Sequence, residues 1–142
     1  MKCLVADDNA DLAELWAIAL RADGHDVTCC TDGNQAVNQM RVQDFDLLVL
    51  DLFMPGGGAL SLARVAVYNN PDAQVMVITG ADCFAYGELL EMGDNIAMVL
   101  RKPVSPQDLR SFVTHLEHKR RAREDVGGSA GGQRVDQRAH RA

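Results

Sequence analysis

An unbroken apolar run that ends in a carboxylate places the strongest constraint on how this 142-residue chain can fold. Residues 47–50 are four consecutive apolar residues, Asp51 follows them directly, and Pro55 with three glycines then ends the run. Apolar side chains on both faces of a short strand are typical of a parallel sheet covered by helices. An Asp at the carboxyl end of such a strand lies where open α/β sheets build their binding sites. Taken alone, however, Asp51 would more often be a turn cap than a reactive group.

Short apolar strands alternate with amphipathic segments along the rest of the chain. Further strands are predicted at 2–6, 27–30, 75–78 and 97–100. Helices are predicted at 9–23, near 36–40, at 60–67, at 84–92 and from residue 105 onward. These spacings suit right-handed crossovers, so we predict an α/β fold in which a doubly wound sheet of five parallel strands carries helices on both faces.

The first predicted helix carries signals for both of its ends. Asp11 followed three residues later by Glu14 resembles a capping box, and Gly24 is a typical helix stop. Trp16 lies on this helix, and we interpret it as a half-exposed residue.

Cysteine content and hydropathy point to the cytoplasm. The four cysteines have no C-x-x-C spacing, so we interpret them as buried small side chains of a protein in a reducing compartment. The chain shows no signal peptide, and no apolar run approaches the roughly 18 residues that a membrane span needs. We therefore expect a cytoplasmic protein without membrane contact.

Charge and periodicity change near the end of the chain. Residues 1–118 hold 7 basic and 17 acidic residues, whereas 119–142 hold 7 basic and 3 acidic residues. The acidic part is unsuited to bind nucleic acid by itself. Apolar periodicity stops near Arg123, so we predict one domain over residues 1–121 and a disordered tail or linker over 122–142. This segment is too short for a helix-turn-helix unit with its own core, and we expect no DNA-binding domain in this chain.

Reactive polar groups follow four of the five predicted strands. Asp7 and Asp8 follow the first strand, Asp51 the third, Thr79 the fourth and Lys102 the fifth. In a doubly wound sheet these strand ends share one edge. Carboxylates about 4 Å apart would repel one another by about 4 kcal/mol per pair at an effective dielectric near 20. A Mg²⁺ ion would relieve that repulsion, because it prefers a few carboxylates and open water positions.

The same set of groups is suited to phosphoryl transfer onto a carboxylate. A metal ion and Lys102 can neutralise charge on the equatorial phosphoryl oxygens, and the Thr79 hydroxyl can donate a hydrogen bond to one of them. Asp51 is then placed to attack in line as the nucleophile.

Together, these motifs resemble the receiver domain of bacterial two-component response regulators over residues 1 to about 120. The matching motifs are Asp7-Asp8, Asp51-Leu52-Phe53-Met54-Pro55, Thr79-Gly80 and Lys102-Pro103. The resemblance implies a chemotaxis-type, flavodoxin-like fold with strand order 2-1-3-4-5. It also implies a single-domain response regulator that is not an enzyme acting on a separate substrate.

The resemblance implies how the acidic residues act. Asp51 accepts phosphate from a phosphohistidine on a sensor histidine kinase or a histidine phosphotransfer protein. Asp8 and Asp51 bind Mg²⁺ directly, together with the backbone carbonyl of Phe53, while Asp7 acts mainly through water.

The resemblance also implies a switch. Lys102 pairs with the phosphoryl group, and Thr79 moves to it on phosphorylation, which changes the surface offered to a downstream protein that the sequence does not identify. Dimerisation on phosphorylation is left open. The Lys-Pro peptide is often cis in this family. The chain departs from the family at Val99, where a Tyr or Phe that moves with the threonine is common.

Other classes of protein fit the motifs less well. An aspartyl-phosphate phosphohydrolase of the haloacid dehalogenase type carries the motif Asp-x-Asp after its first strand and has a cap segment that binds substrate. This chain has Asp7-Asp8 after its first predicted strand and shows no cap segment in its sequence. A flavodoxin-like binding module would need a phosphate loop rich in Ser, Thr and Gly after the first strand. A degenerate receiver would lack some of the acidic, hydroxyl or amine groups, all of which are present.

Overall fold

The computed structural model of the chain describes residues 1–80, 88 and 91–129. Its strands are β1 (Lys2–Ala6), β2 (Asp26–Cys30), β3 (Leu47–Asp51), β4 (Gln74–Thr79) and β5 (Ile96–Arg101). Its helices are α1 (Ala10–Ala22), α2 (Gly33–Val42), α3 (Ala59–Asn69) and α4 (Pro106–Ser129). The predicted alternation of strands and helices is confirmed for the described residues, but of the helix predicted at 84–92 only residues 88, 91 and 92 are described.

The five strands form one parallel sheet in the order β2-β1-β3-β4-β5, as predicted. The chain winds toward β2 on one side and toward β5 on the other, so the direction of winding changes between β1 and β3. In the register there, Ala6 lies opposite Leu50. The residues after Ala6 and after Leu50 therefore flank the switch point, which is where doubly wound sheets form their sites.

The centre of the sheet supplies most of the core. All five residues of β3 are buried, as its unalternating apolar sequence predicts for a strand covered on both faces. Leu4 of β1, Leu48 and Leu50 of β3, Val75 of β4 and Leu62 of α3 belong to one apolar cluster. Asp51 thus ends a strand that is rigidly packed along its whole length.

Helix α1 differs from the sequence prediction at two positions. Its N-cap is Asn9, whose Oδ1 accepts a hydrogen bond from the Leu12 N–H at 3.1 Å, while Asp11 lies in the first turn. The capping box predicted from Asp11 and Glu14 is therefore wrong. Trp16 is fully buried, not half exposed, and its indole N–H donates to the Val104 carbonyl. The stop at Gly24 is confirmed, since this residue has a left-handed backbone with φ of 87°.

Helix α4 continues to Ser129, beyond the boundary at residue 121 that we predicted. Ion pairs between Glu117 and Arg121 and between Arg120 and Glu124 join residues four apart, and such pairs stabilise a helix without any apolar periodicity. Residues 130–142 lie outside the described residues, so the assignment of a disordered tail or linker stays a prediction.

The chain divides into two compact units, Met1–Arg110 and a second that begins at Ser111 within α4. The strands, the first three helices and every residue of the site described below belong to the first unit. Within the described part of the chain, none of the helices has the length and apolar character needed to span a membrane.

Candidate functional site

Three carboxylates meet at the edge of the sheet where β1 and β3 end. Asp7, Asp8 and Asp51 each place one carboxylate oxygen within 4.8 Å of the others. Asp7 and Asp51 are buried, whereas Asp8 is exposed. The neighbouring ends of two parallel strands thus bring the adjacent pair Asp7 and Asp8 together with the distant Asp51, as expected from their positions after apolar strands.

Asp7 is the most deeply placed of the three carboxylates. Its side chain has no exposure to solvent, and its Oδ1 accepts a hydrogen bond of 2.9 Å from the Asn9 N–H. Its Oδ2 has no hydrogen-bond partner among the described residues. The Lys102 Nζ lies 2.8 Å from this oxygen, in an ion pair whose geometry does not make it a hydrogen bond. Asp7 Oδ2 is therefore a buried negative atom with spare capacity for a cation.

Lys102 bridges the two buried carboxylates. Besides the contact with Asp7, its Nζ donates to Asp51 Oδ2 at 3.3 Å. Burial alone would lower the pKa of the Lys102 ammonium, but the Asp7 and Asp51 carboxylates outweigh it and hold that pKa above its ordinary value. Three carboxylates against one ammonium leave this cluster with an excess of negative charge.

The main chain around Lys102 is attached to the neighbouring strand. The Lys102 N–H donates to the Thr79 carbonyl at 2.8 Å, and the Lys102-Pro103 peptide is cis, as the resemblance implies. Gly80 follows Thr79, and a Cβ built there would lie 3.9 Å from the Lys102 Cδ, so the aliphatic stem of the lysine runs close to this glycine. Lys102 thus reaches the carboxylates from a segment held beside the end of β4.

At Asp51, burial and the Asp7 charge shift the carboxyl pKa in one direction, and the Lys102 charge shifts it in the other. Burial raises the pKa of its carboxyl group, and the negative charge of Asp7 raises it further. The Lys102 ammonium and the Phe53 N–H, which donates to the carboxylate, act in the opposite direction without cancelling the rise. The ionised form of Asp51 is therefore less stable here than in water, and an additional cation would stabilise it.

The loop after β3 lies against the start of α2. Gly56 and Gly57 adopt left-handed backbone conformations, with φ of 78° and 122°. The Gly33 N–H donates to the Pro55 carbonyl at 2.9 Å, and a Cβ at Gly33 would collide with the backbone of Gly56 and Gly57. The start of α2 therefore contacts the loop that begins with Leu52.

Gly33 is a site-supporting residue that the sequence prediction missed. In the sequence, residues 31–33 match ordinary turn chemistry. The feature of the sequence that could have indicated a close backbone contact is the glycine directly after the N-cap Asp32. A glycine inside a helix is unfavourable unless the structure requires the absence of a side chain. Only the tertiary structure shows which backbone approaches it.

The remaining predicted residues lie at the same edge of the sheet. Thr79 ends β4 and is buried, with 1% exposure. The Phe53 ring is 56% exposed, while its N–H faces Asp51. Val99, which stands where an aromatic residue is common, is partly buried and packs against the core of the sheet. The structure thus gathers Asp7, Asp8, Asp51 and Lys102 into one cluster and places Thr79 on the strand next to Asp51.

Comparison with known proteins gives consistent matches. The family model of the response regulator receiver domain matches residues 3–114. The chain is 35% identical over 113 residues to the DNA-binding response regulator MtrA of Mycolicibacterium paratuberculosis, covering 79% of this chain and 49% of that protein. It is 32% identical over 116 residues to the response regulator receiver protein CpdR of Brucella abortus, covering 82% of this chain and 93% of that protein.

A solved structure agrees in fold. A CheY-like response regulator receiver domain protein from Methanospirillum hungatei superposes with a TM-score of 0.77 at 17% identity, covering 86% of this chain and 97% of that one. At this identity the likeness concerns the fold alone. The chain spans about half the length of the MtrA relative, whereas it spans nearly all of CpdR.

Proposed function

This chain belongs to the response regulator receiver domain family, and from that membership we propose that Asp51 accepts a phosphoryl group in a Mg²⁺-dependent reaction. The donor is a phosphohistidine of a sensor histidine kinase or a histidine phosphotransfer protein. The observation that carries the proposal is the cluster of Asp7, Asp8, Asp51 and Lys102. It combines a carboxylate nucleophile, the Lys102 ammonium and two further carboxylates that could hold a cation.

The acidic residues fit a Mg²⁺ ion. The buried Asp7 Oδ2 lacks a hydrogen bond, and the cluster carries more negative than positive charge. Ligand oxygens on an octahedral Mg²⁺ lie about 2.1 Å from the ion and so up to about 4.2 Å apart, which is close to the spacing of these carboxylates. Asp8, Asp51 and the Phe53 carbonyl would hold the ion, with Asp7 acting through water. Bound Mg²⁺ would neutralise charge on the phosphoryl oxygens.

The chain's own residues would carry out the transfer. A carboxylate oxygen of Asp51 attacks phosphorus in line while the bond from phosphorus to the histidine nitrogen breaks, and the imidazole leaves. The Lys102 ammonium, already 3.3 Å from Asp51 Oδ2, stabilises the negative charge on the transferred group. The electron pair of the broken bond stays on the histidine nitrogen, and because the other ring nitrogen of the donor already carries a proton, the leaving group is neutral imidazole. The product on the receiver is an acyl phosphate of Asp51.

We propose that phosphorylation then acts through Thr79 and Lys102. Thr79 ends the strand next to β3, and its carbonyl accepts the Lys102 N–H, so a movement of either residue toward the phosphoryl group is transmitted to the other. The resulting change of surface would be recognised by a downstream protein partner in the cytoplasm. Val99 supplies a smaller side chain than an aromatic residue for any accompanying repacking.

Phosphoryl acceptance can be tested by intact mass. The chain is incubated with Mg²⁺ and acetyl phosphate, and the expected product carries one added phosphate that Asp51→Asn abolishes. Asp72→Asn, which alters an exposed aspartate in the turn before β4, is the matched control and should still gain the phosphate. A parent chain that gains no phosphate in Mg²⁺, or one that gains it equally after Asp51→Asn, would disprove the assignment. Steady release of phosphate from p-nitrophenyl phosphate would instead favour a phosphohydrolase.

A further inference from the structure

The single tryptophan of the chain makes a specific polar contact inside the fold. Trp16 is fully buried on α1, and its indole Nε1–H donates to the Val104 carbonyl at 3.4 Å. A buried indole N–H needs an acceptor, because leaving it unpaired is costly. Among the buried residues of α1, the others are alanines and a leucine, which cannot make such a bond.

Val104 belongs to the segment that presents Lys102 to the carboxylates. This segment is tied to the end of β4 by the bond from the Lys102 N–H to the Thr79 carbonyl. Two residues later, the Trp16 indole ties the same segment to α1. Ser105 then caps α4, since its Oγ accepts the Asp108 N–H at 3.0 Å. The backbone that carries the lysine is thus held by β4 and by α1, in the second case through a tryptophan side chain.

Helix α1 also contacts the Asp7 carboxylate, which is the negative partner of Lys102 in their ion pair. Its N-cap residue Asn9 donates its backbone N–H to Asp7 Oδ1, while Trp16 in its second turn donates to Val104. The same helix therefore contacts both the Asp7 carboxylate and the backbone beyond Lys102. The distance of 2.8 Å between Lys102 Nζ and Asp7 Oδ2 is consistent with this common support.

We propose that Trp16 is a positioning residue for phosphoryl transfer, which holds Lys102 in register with the carboxylates through the Val104 carbonyl. This inference rests on the proposed function of Asp51. It assigns to α1 a role inside the site that is separate from the packing of its apolar residues. Loss of the indole N–H should slow phosphorylation of Asp51, which depends on the lysine, and leave Mg²⁺ binding by the carboxylates largely intact.

Replacing one atom of the indole tests this inference without opening a cavity. Because Trp16 is the only tryptophan, growth on an analogue changes a single position. Benzothienylalanine keeps the bicyclic shape but carries sulfur in place of the N–H, and 5-fluorotryptophan keeps the N–H as the matched control. We expect the initial rate of phosphorylation by acetyl phosphate in Mg²⁺ to fall about fivefold with the first analogue, the effect of one typical hydrogen bond, and less than about twofold with the second. Mg²⁺ affinity, measured by calorimetry, should stay within about twofold in both.

A double-mutant cycle shows whether the effect passes through the lysine. Trp16→Phe should slow phosphorylation in the parent background but change it little in a Lys102→Ala background, because the group to be positioned is then absent. Equal slowing in both backgrounds, or a benzothienylalanine chain that is phosphorylated at the parent rate, would overturn the role of Trp16 while the parent chain still gains phosphate. A parent chain that gains no phosphate would overturn the proposed function itself, and the inference with it.

Discussion

Lys102 Nζ lies closer to Asp7 than to Asp51, at 2.8 Å from Asp7 Oδ2 and 3.3 Å from Asp51 Oδ2. The ammonium thus compensates the more deeply buried of the two carboxylates, whose Oδ2 has no hydrogen bond. A divalent cation that enters the cluster meets a positive charge already present there. Lys102 and a metal ion are therefore competitors for the same carboxylates before phosphorylation, and partners in neutralising the phosphoryl group afterwards.

Lys102→Ala is expected to strengthen Mg²⁺ binding, because the variant removes a positive charge in contact with Asp51, a proposed direct ligand, and with Asp7, which is proposed to act through water. The gain should be roughly threefold to tenfold, since solvent screens part of the repulsion. Calorimetric titration with Mg²⁺ measures it. Lys2→Ala, which removes an exposed lysine at the start of β1, is the control and should leave the affinity unchanged. Weaker binding by the Lys102 variant would show that the lysine organises the carboxylates instead of competing with the ion.

Asp8→Asn is expected to weaken Mg²⁺ binding at least about tenfold, because the substitution neutralises a proposed direct ligand. Asp8 is exposed, so the change should cost little stability and the loss is not explained by unfolding. Asp11→Asn alters an acidic residue in the first turn of α1 and serves as the matched control. Equal affinities for the Asp8 variant and the parent chain would remove Asp8 from the metal site.

Phe53→Asn is expected to shorten the lifetime of phosphorylated Asp51 severalfold. Hydrolysis needs a water in line with the Asp–phosphorus bond, and an apolar ring two residues from Asp51 cannot hydrogen-bond to such a water, whereas an amide can. The decay of phosphoprotein after removal of excess donor measures the effect. Tyr68→Asn replaces an aromatic residue that is 90% exposed on α3 and should decay at the parent rate. If the phosphorylated Phe53→Asn variant decays no faster than the Tyr68→Asn control, Phe53 does not control access of water.

Ala81, which we predict to border the same site, lies outside the described residues.

Cys30→Ala is expected to reduce the loss of stability at alkaline pH. Burial, the neighbouring Cys29 and Asp32 raise the pKa of the Cys30 thiol from 9.0 to about 11. As the pH rises from about 9 toward 11, the unfolded chain releases this proton before the folded chain does, so the free energy of unfolding falls. Denaturant unfolding from pH 8 to 11 should show a shallower fall for the variant than for the parent chain. Parallel curves would mean that the Cys30 thiol ionises equally in both states.

Strand positions and the main polar residues of the site could be predicted from local patterns. The apolar run at 47–50 predicted β3 because an unalternating strand can be buried only between two layers. Asp7, Asp51 and Thr79 each follow or end such a strand, and the parallel order of the strands then brings them to one edge. The end of α4 could not be predicted from the apolar pattern, because charged pairs along a helix leave no apolar period to detect.

The sequence by itself thus determined which residues end the strands, and that carboxylates, a hydroxyl and an amine converge at those ends. It could do so because the apolar pattern of a buried strand is visible in consecutive residues. Only the tertiary structure decided that Trp16 is buried against Val104, that Gly33 presses on the loop after Asp51, and that Lys102 approaches Asp7 more closely than Asp51. Each of these contacts joins residues distant along the chain. Their distances depend on how strands, helices and loops pack together, and no local pattern records that packing.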